Sequence, residues 1–194
     1  MPRQESGSFG LEHESTIRIR AARSDDVEEL SVFARATFET AFLEGMGEDR
    51  LRQHVKEEMS DQCFKVMLQQ DDFYLAFQDD RLIGFVQIGS VNEAYKPYLQ
   101  HYDADAQEVR RLYVLAKRQG AGIGSALLEI GLQAAAKTKS ETIYLTTWES
   151  NAGAQRLYHR FGFRKVGEIP EFDQNDILSG YEYILAHRMK VSPE

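Results

Sequence analysis

Three glycines alternate within seven residues, Gln119-Gly120-Ala121-Gly122-Ile123-Gly124-Ser125. At that density successive backbone N–H groups can converge on one point with no Cβ in the way, and a helix starting at the end of the run adds the positive end of its dipole. The chemistry of such a run is anion binding, with phosphate oxygens as the natural ligand. A P-loop would need Lys directly after the glycines, and none stands there. The dinucleotide pattern G-x-G-x-x-G has Ser125 in place of its third glycine. The next strand then ends in Thr146 and Thr147 rather than in an acidic residue. A turn that only caps a helix would carry three glycines at a cost in stability without an evident packing gain.

The neighbouring segments place the loop. Glu108-Val109-Arg110-Arg111-Leu112-Tyr113-Val114-Leu115 is rich in β-branched and aromatic residues and reads as a strand. Ile123, Ala126, Leu127, Ile130 and Ala134 recur at helical spacing over about 122–137, and Thr142 to Thr147 reads as a second strand. Strand, glycine loop, helix and strand together favour an α/β fold with its ligand at the loop. Strict alternation puts Glu108 on the face of Arg110, Leu112 and Val114, a register that a bulge would shift.

Further upstream, Thr16 to Arg20 alternates like a first strand, and Ser24 reads as the cap of a helix with Leu30, Phe33, Ala34, Phe38 and Ala41 as its buried stripe. A break at Gly45-Met46-Gly47 precedes a helix with Leu51, Val55 and Met59, and another is expected around Phe64, Met67 and Leu68. Residues 73–78 and 82–88 flank Asp79-Asp80-Arg81 as a hairpin, 90–106 reads as a loop over the site, and 163–169 and 181–187 as late strands. Residues 1–15 are polar and read as a loose tail before one domain over 16–190.

Gln119-x-x-Gly122-x-Gly124 resembles the pyrophosphate loop of the GCN5-related N-acetyltransferases. Further on, Asn151-x-x-Ala154-x-x-x-Tyr158-x-x-x-Gly162-Phe163 resembles that family's second signature. The resemblance implies a mixed, mostly antiparallel central sheet flanked by helices in a single domain, with acetyl-CoA as co-substrate. It implies contact to that co-substrate by the backbone of Leu112, Tyr113 and Val114, by the loop from Gln119 through Gly120, Ala121, Gly122, Ile123, Gly124 and Ser125, and by Asn151 and Tyr158. Tyr158 would be the general acid for the departing thiolate; on helix periodicity alone it reads rather as a core tyrosine. Glu108 precedes Gln119 by the eleven residues at which several family members carry a catalytic glutamate. The plainer reading is a strand-end ion pair with Arg110 and Arg111. The acceptor would be an amine of a small molecule or peptide, and homodimers are common among such proteins.

Within that family, Glu108-x-x-Arg111-x-Tyr113-Val114, Trp148-Glu149 and Thr37-Phe38-x-x-x-Phe42 resemble the bacterial spermidine/spermine N-acetyltransferases. The stretch Glu171 to Asp176 departs from that branch. A catalytically silent CoA-binding module and a nicotinamide-binding oxidoreductase are the rival functions.

Bulk properties narrow the field. The net charge of −8 over 194 residues argues against nonspecific nucleic-acid binding and suits a cationic ligand. The five histidines lack metal-ligand spacing and the single cysteine, Cys63, supports neither a zinc cluster nor an internal disulfide, so no metal is expected. No apolar run reaches the roughly 20 residues that span a bilayer, and Met1 to Glu5 opens no signal peptide, so a cytoplasmic protein without membrane contact is expected.

Overall fold

A computed structural model describes residues 16–138, 140–172 and 177–189; the expected tail and the segment 173–176 lie outside the described residues. Seven strands form one sheet in the order β1-β2-β3-β4-β5-β7-β6: β1 Ile17–Ala21, β2 Asp72–Gln78, β3 Arg81–Ser90, β4 Gln107–Val114, β5 Thr142–Trp148, β6 Arg164–Phe172 and β7 Leu178–Arg188. Every neighbouring pair is antiparallel except β4 and β5, so the mixed, mostly antiparallel sheet flanked by helices is what the chain forms. None of the described helices is long and apolar enough to cross a membrane.

Helices α1 (Val27–Met46), α2 (Glu48–Glu58) and α3 (Asp61–Gln70) cover one face. Their core joins Leu30, Ala34, Phe38, Leu51, Met59 and Phe64 to Phe73, Leu75 and Phe85 of the sheet. The cap of α1 differs from expectation. Ser24 opens a short 3-10 turn, and it is the Asp26 carboxylate that accepts from the Arg23 N–H at 2.7 Å and from both Arg20 Nη atoms at 2.7 and 2.6 Å. Ala41 is exposed, and Phe42 packs on the cluster in its place. The helix stops at Gly47, whose φ of 78° suits only glycine. The hairpin between β2 and β3 turns on Asp79 and Asp80, with φ of 50° and 58°, the left-handed pair of a tight two-residue turn.

Helices α4 (Ile123–Ala135) and α5 (Ala152–Arg160) cover the opposite face. Ile123, Leu127, Leu128 and Ala135 meet Val86, Ile88, Val109, Ile143, Tyr158 and Phe163 there. The buried stripe of α4 is rotated from the expected one, running through Leu128 and Gly131 rather than Ala126 and Ile130. Gly131 lets the helix sit close to the sheet, since a Cβ there would lie 2.9 Å from Ile88 Cδ1. The late strands run longer than expected because the β6–β7 ladder continues to Phe172 and Leu178. The segment between β3 and β4 is not a plain loop, for it contains a 3-10 turn, Glu93–Tyr98.

Candidate active site

β4 carries an extra residue. Ile88 pairs with Val109 and Gln87 with Arg111, so Arg110 bulges out of the ladder and the alternation reverses across it. Val109, Leu112 and Val114 therefore pack on the α4 side, while Tyr113 packs on the α1 side against Phe85, 5.2 Å between ring centroids. Glu108 shares its face with Arg111 and Tyr113. That corrects the strict alternation, which grouped it with Arg110, Leu112 and Val114.

A second irregularity opens the sheet. β4 pairs with β5 only at Gln107↔Ile143 and Glu108↔Tyr144, and beyond Glu108 the two strands part. The Leu115 N–H donates to Ile83 C=O at 2.9 Å. By antiparallel alternation Tyr113 then also bonds to β3, whereas the backbone groups of Leu112 and Val114 face the opening. Gln119 Nε2 reaches back to Val114 C=O at 3.3 Å and ties the loop to the end of the strand.

The opening leads into a cleft of about 590 Å³ lined by Leu112, Val114, Gln119, Gly120, Gly122, Gly124, Ser125, Asn151 and Tyr158 among the expected residues. Gly120 and Gly122 hold φ of 81° and 83°, and Gly122 is the N-cap of α4, so the positive end of a helix lies at the cleft. Ala121 and Ile123 are not brought to the cleft by their side chains: Ala121 is exposed and Ile123 is buried in the core. Tyr113 is turned to the other face. The spacing of Arg156 and Arg160 was legible as one helix face, yet neither was singled out. Both line the cleft, and Arg160 Nη2 donates to Ser125 Oγ at 3.3 Å.

Asn151 caps α5, its Oδ1 accepting from the Ala154 N–H at 3.0 Å, which leaves its amide N–H groups for a ligand. Two turns on, Tyr158 is 8% exposed and packs edge-on against Phe163, 5.9 Å between centroids. Burial, then the neighbouring Tyr113, pushes its phenol well above the ordinary tyrosine range, so it stays protonated at neutral pH.

Across the sheet lies a buried polar cluster that the sequence did not disclose. Glu108 is 3% exposed; its Oε2 accepts from the Asn92 N–H at 2.8 Å and its Oε1 from the Tyr95 hydroxyl at 2.9 Å. Burial raises its pKa, opposed by those two donors and by Arg110 and Arg111. Thr146, Trp148 and Glu182 share this face, because Trp148 pairs with Glu182 and Thr146 with Ile184, a member of the same small core as Tyr95. Burial raises the Glu182 pKa too, Thr146 hydrogen-bonding to it and Glu108 adding like charge. Aromatic pairs stand on the same side of the sheet: Phe42 against Trp148 at 5.6 Å and His54 stacked on Phe38 at 4.6 Å. Burial, helped by Arg111, lowers the His54 pKa and keeps its ring neutral at pH 7. Among the described residues no group of three His, Cys, Asp or Glu could hold a metal ion.

Two half-sites thus meet where β4 leaves β5. One is a cleft with a glycine loop at a helix start and a buried phenol; the other has carboxylates among aromatic rings.

Comparison with known proteins agrees with that geometry. Residues 35–163 match the Acetyltransferase (GNAT) family. The spermine/spermidine N(1)-acetyltransferase of Bacillus subtilis is 34% identical over 98 residues, 48% of this chain and 59% of that protein. The mycothiol acetyltransferase of Acidothermus cellulolyticus is 32% identical over 114 residues, 57% of this chain and 35% of that protein. The chain thus matches less than two thirds of the length of either relative. Among solved structures, the PaiA N-acetyltransferase of Thermoplasma acidophilum in complex with coenzyme A superimposes with a TM-score of 0.69 at 20% identity, covering 90% of this chain and 99% of that one. NAA60 of Arabidopsis thaliana with a bisubstrate analogue gives 0.65 at 20% identity over 91% of this chain and 100% of that one.

Proposed function

The chain belongs to the Acetyltransferase (GNAT) family, and from that premise we propose that it transfers the acetyl group of acetyl-CoA directly to a primary amine, with polyamines as the acceptor class. The observation that carries this reading is the parting of β4 from β5 immediately beyond Glu108. It leaves the Leu112 backbone and the Val114 N–H facing an amide-bearing arm, while Val114 C=O is already met by Gln119, beside a glycine loop suited to phosphates. The residues fit such a ligand at each point. Gly120, Gly122 and the start of α4 would hold the pyrophosphate, Arg156 and Arg160 would add positive charge, and Leu112, Val114 and the Asn151 amide would hold the arm.

Acetyl-CoA brings an activated acyl thioester, whose thiolate needs a proton as it departs. Tyr158 is the protonated donor on the cleft side and supplies that proton. An ammonium attacks only after losing a proton, and Glu108, at the vertex of the opening, accepts it. The two groups stand on opposite faces of the sheet, and the phenol keeps its proton in the presence of an ionised carboxylate because its pKa is far higher.

The polyamine class is supported by the Bacillus subtilis relative and by Glu108 and Glu182 on one face beside aromatic pairs, which suits a chain bearing more than one cation. The test is the steady-state release of CoA thiol with spermidine, with a monoamine of similar length and with a peptide amine. A second cation meeting a buried carboxylate is worth about 1.5–3 kcal/mol, so kcat/KM for spermidine should exceed that of the monoamine by about ten-fold or more. Equal values would remove the polyamine class. No thiol release with any amine would remove the transferase reading and leave a CoA-binding module.

A further inference from the structure

One short turn supplies both donors to the Glu108 carboxylate. The 3-10 turn Glu93–Tyr98 begins at Asn92, whose own Oδ1 accepts from the Ala94 N–H at 3.0 Å and so fixes the turn. Its entry N–H, that of Asn92, meets Oε2 at 2.8 Å, and the phenol three residues on meets Oε1 at 2.9 Å. The Tyr95 ring is 9% exposed and packs with Val91, Ala106, Tyr144 and Ile184, which fixes the direction of its hydroxyl. Resting on the acetyl-transfer reading above, we propose that Tyr95 is a positioning residue for the base: it orients the Glu108 carboxylate at the vertex between β4 and β5 and holds it in the ionised form that can take a proton.

A carboxylate with one donor on each oxygen keeps further lone pairs for the amine or for a bridging water. Without a partner, a carboxyl so deeply buried would retain its own proton and be useless as a base at neutral pH. The groups around it act in both directions. Arg110 and Arg111 on β4 favour the charged form, with Arg110 also engaged by Ser90 C=O at 2.7 Å and by Asp71 at 3.4 Å. Glu182 on β7 carries like charge and favours the neutral form, while Tyr95 spans the gap by reaching Thr146 on β5 as well as Glu108. Removing the phenol hydroxyl deletes one stabilising donor and leaves burial less opposed, so the carboxyl must titrate at higher pH.

The experiment is the pH profile of kcat/KM for amine acetylation in wild type, Tyr95→Phe and Glu108→Gln. The acidic limb of Tyr95→Phe should move upward by about one pH unit, the equivalent of one hydrogen bond to a charged group, with rates converging on wild type above it. Glu108→Gln should lose that limb. A purely structural Tyr95 would lower the rate equally at every pH, and a limb at the wild-type position beside a limb lost in Glu108→Gln overturns the inference while leaving the base intact. A wild-type limb in Glu108→Gln overturns the base and the inference with it, whereas absence of acetylation in wild type would strike the functional reading itself. If Tyr95→Phe does not fold, Asn92→Ala loosens the same turn by removing its cap and must shift the limb in the same direction.

Discussion

Tyr158 and Glu108 are both buried, and burial acts on them in the same direction but with opposite consequence for the acid and base roles proposed for them. It keeps the phenol protonated, as an acid must be, and it works against the carboxylate, as a base must be ionised. The second therefore needs donors around it, and it has them: the Asn92 N–H, the Tyr95 hydroxyl and two arginines. Tyr158→Phe keeps the ring against Phe163 and deletes only the proton donor. Its kcat should fall by about ten-fold or more, with the dissociation constant for acetyl-CoA little changed, which transient kinetics and direct binding can check separately. An unchanged kcat would make Tyr158 a core residue that happens to line a cleft.

Elements decide where these residues meet, and the two decisive features are departures from regular sheet. Beside them, outside the sheet, the glycine loop is sensitive to substitution through its left-handed backbone at Gly122. Gly122 has open space around its Cα, so Gly122→Ala meets no atom within 4 Å; its cost is the left-handed φ of 83°, about 1–2 kcal/mol, together with misdirected N–H groups. Thermal unfolding should register that loss and acetyl-CoA affinity should drop with it. Gly124→Ala lacks the φ penalty, and its Cβ would sit in ordinary contact 3.5 Å from Leu157, so it should cost little stability. Much of this half-site was legible beforehand, because a glycine run between a strand pattern and a helical period has few physical uses. The facing of β4 was not. Arg110 looks like any strand residue, and only its pairing opposite Gln87 and Ile88 makes it the bulge that carries Glu108 to the side of Tyr113. The parting of β4 from β5 is equally silent in sequence, since both strands keep their β-branched and aromatic residues beyond the last pair. Tyr95 and Glu182 escaped notice because neither sits in a motif; the register of strands distant in sequence brings them beside Glu108.

At the scale of the whole molecule, the sheet is both scaffold and partition. α4 and α5 pack on one side, where the glycine loop opens the cleft, while α1, α2 and the turn around Tyr95 cover the face that carries Glu108 and Glu182. The gap between β4 and β5 is where the two connect. That arrangement favours a reaction in which both substrates are present at once, without an acylated protein between them. A single-turnover experiment tests it most directly: protein in excess over acetyl-CoA is mixed with spermidine, and CoA thiol, acetylated amine and the mass of the protein are followed together. The account predicts that thiol and acetylated amine appear in equal amounts at the same rate while the protein mass stays unchanged. Thiol release without acetylated amine, or an acetylated protein that forms before the product, would contradict it.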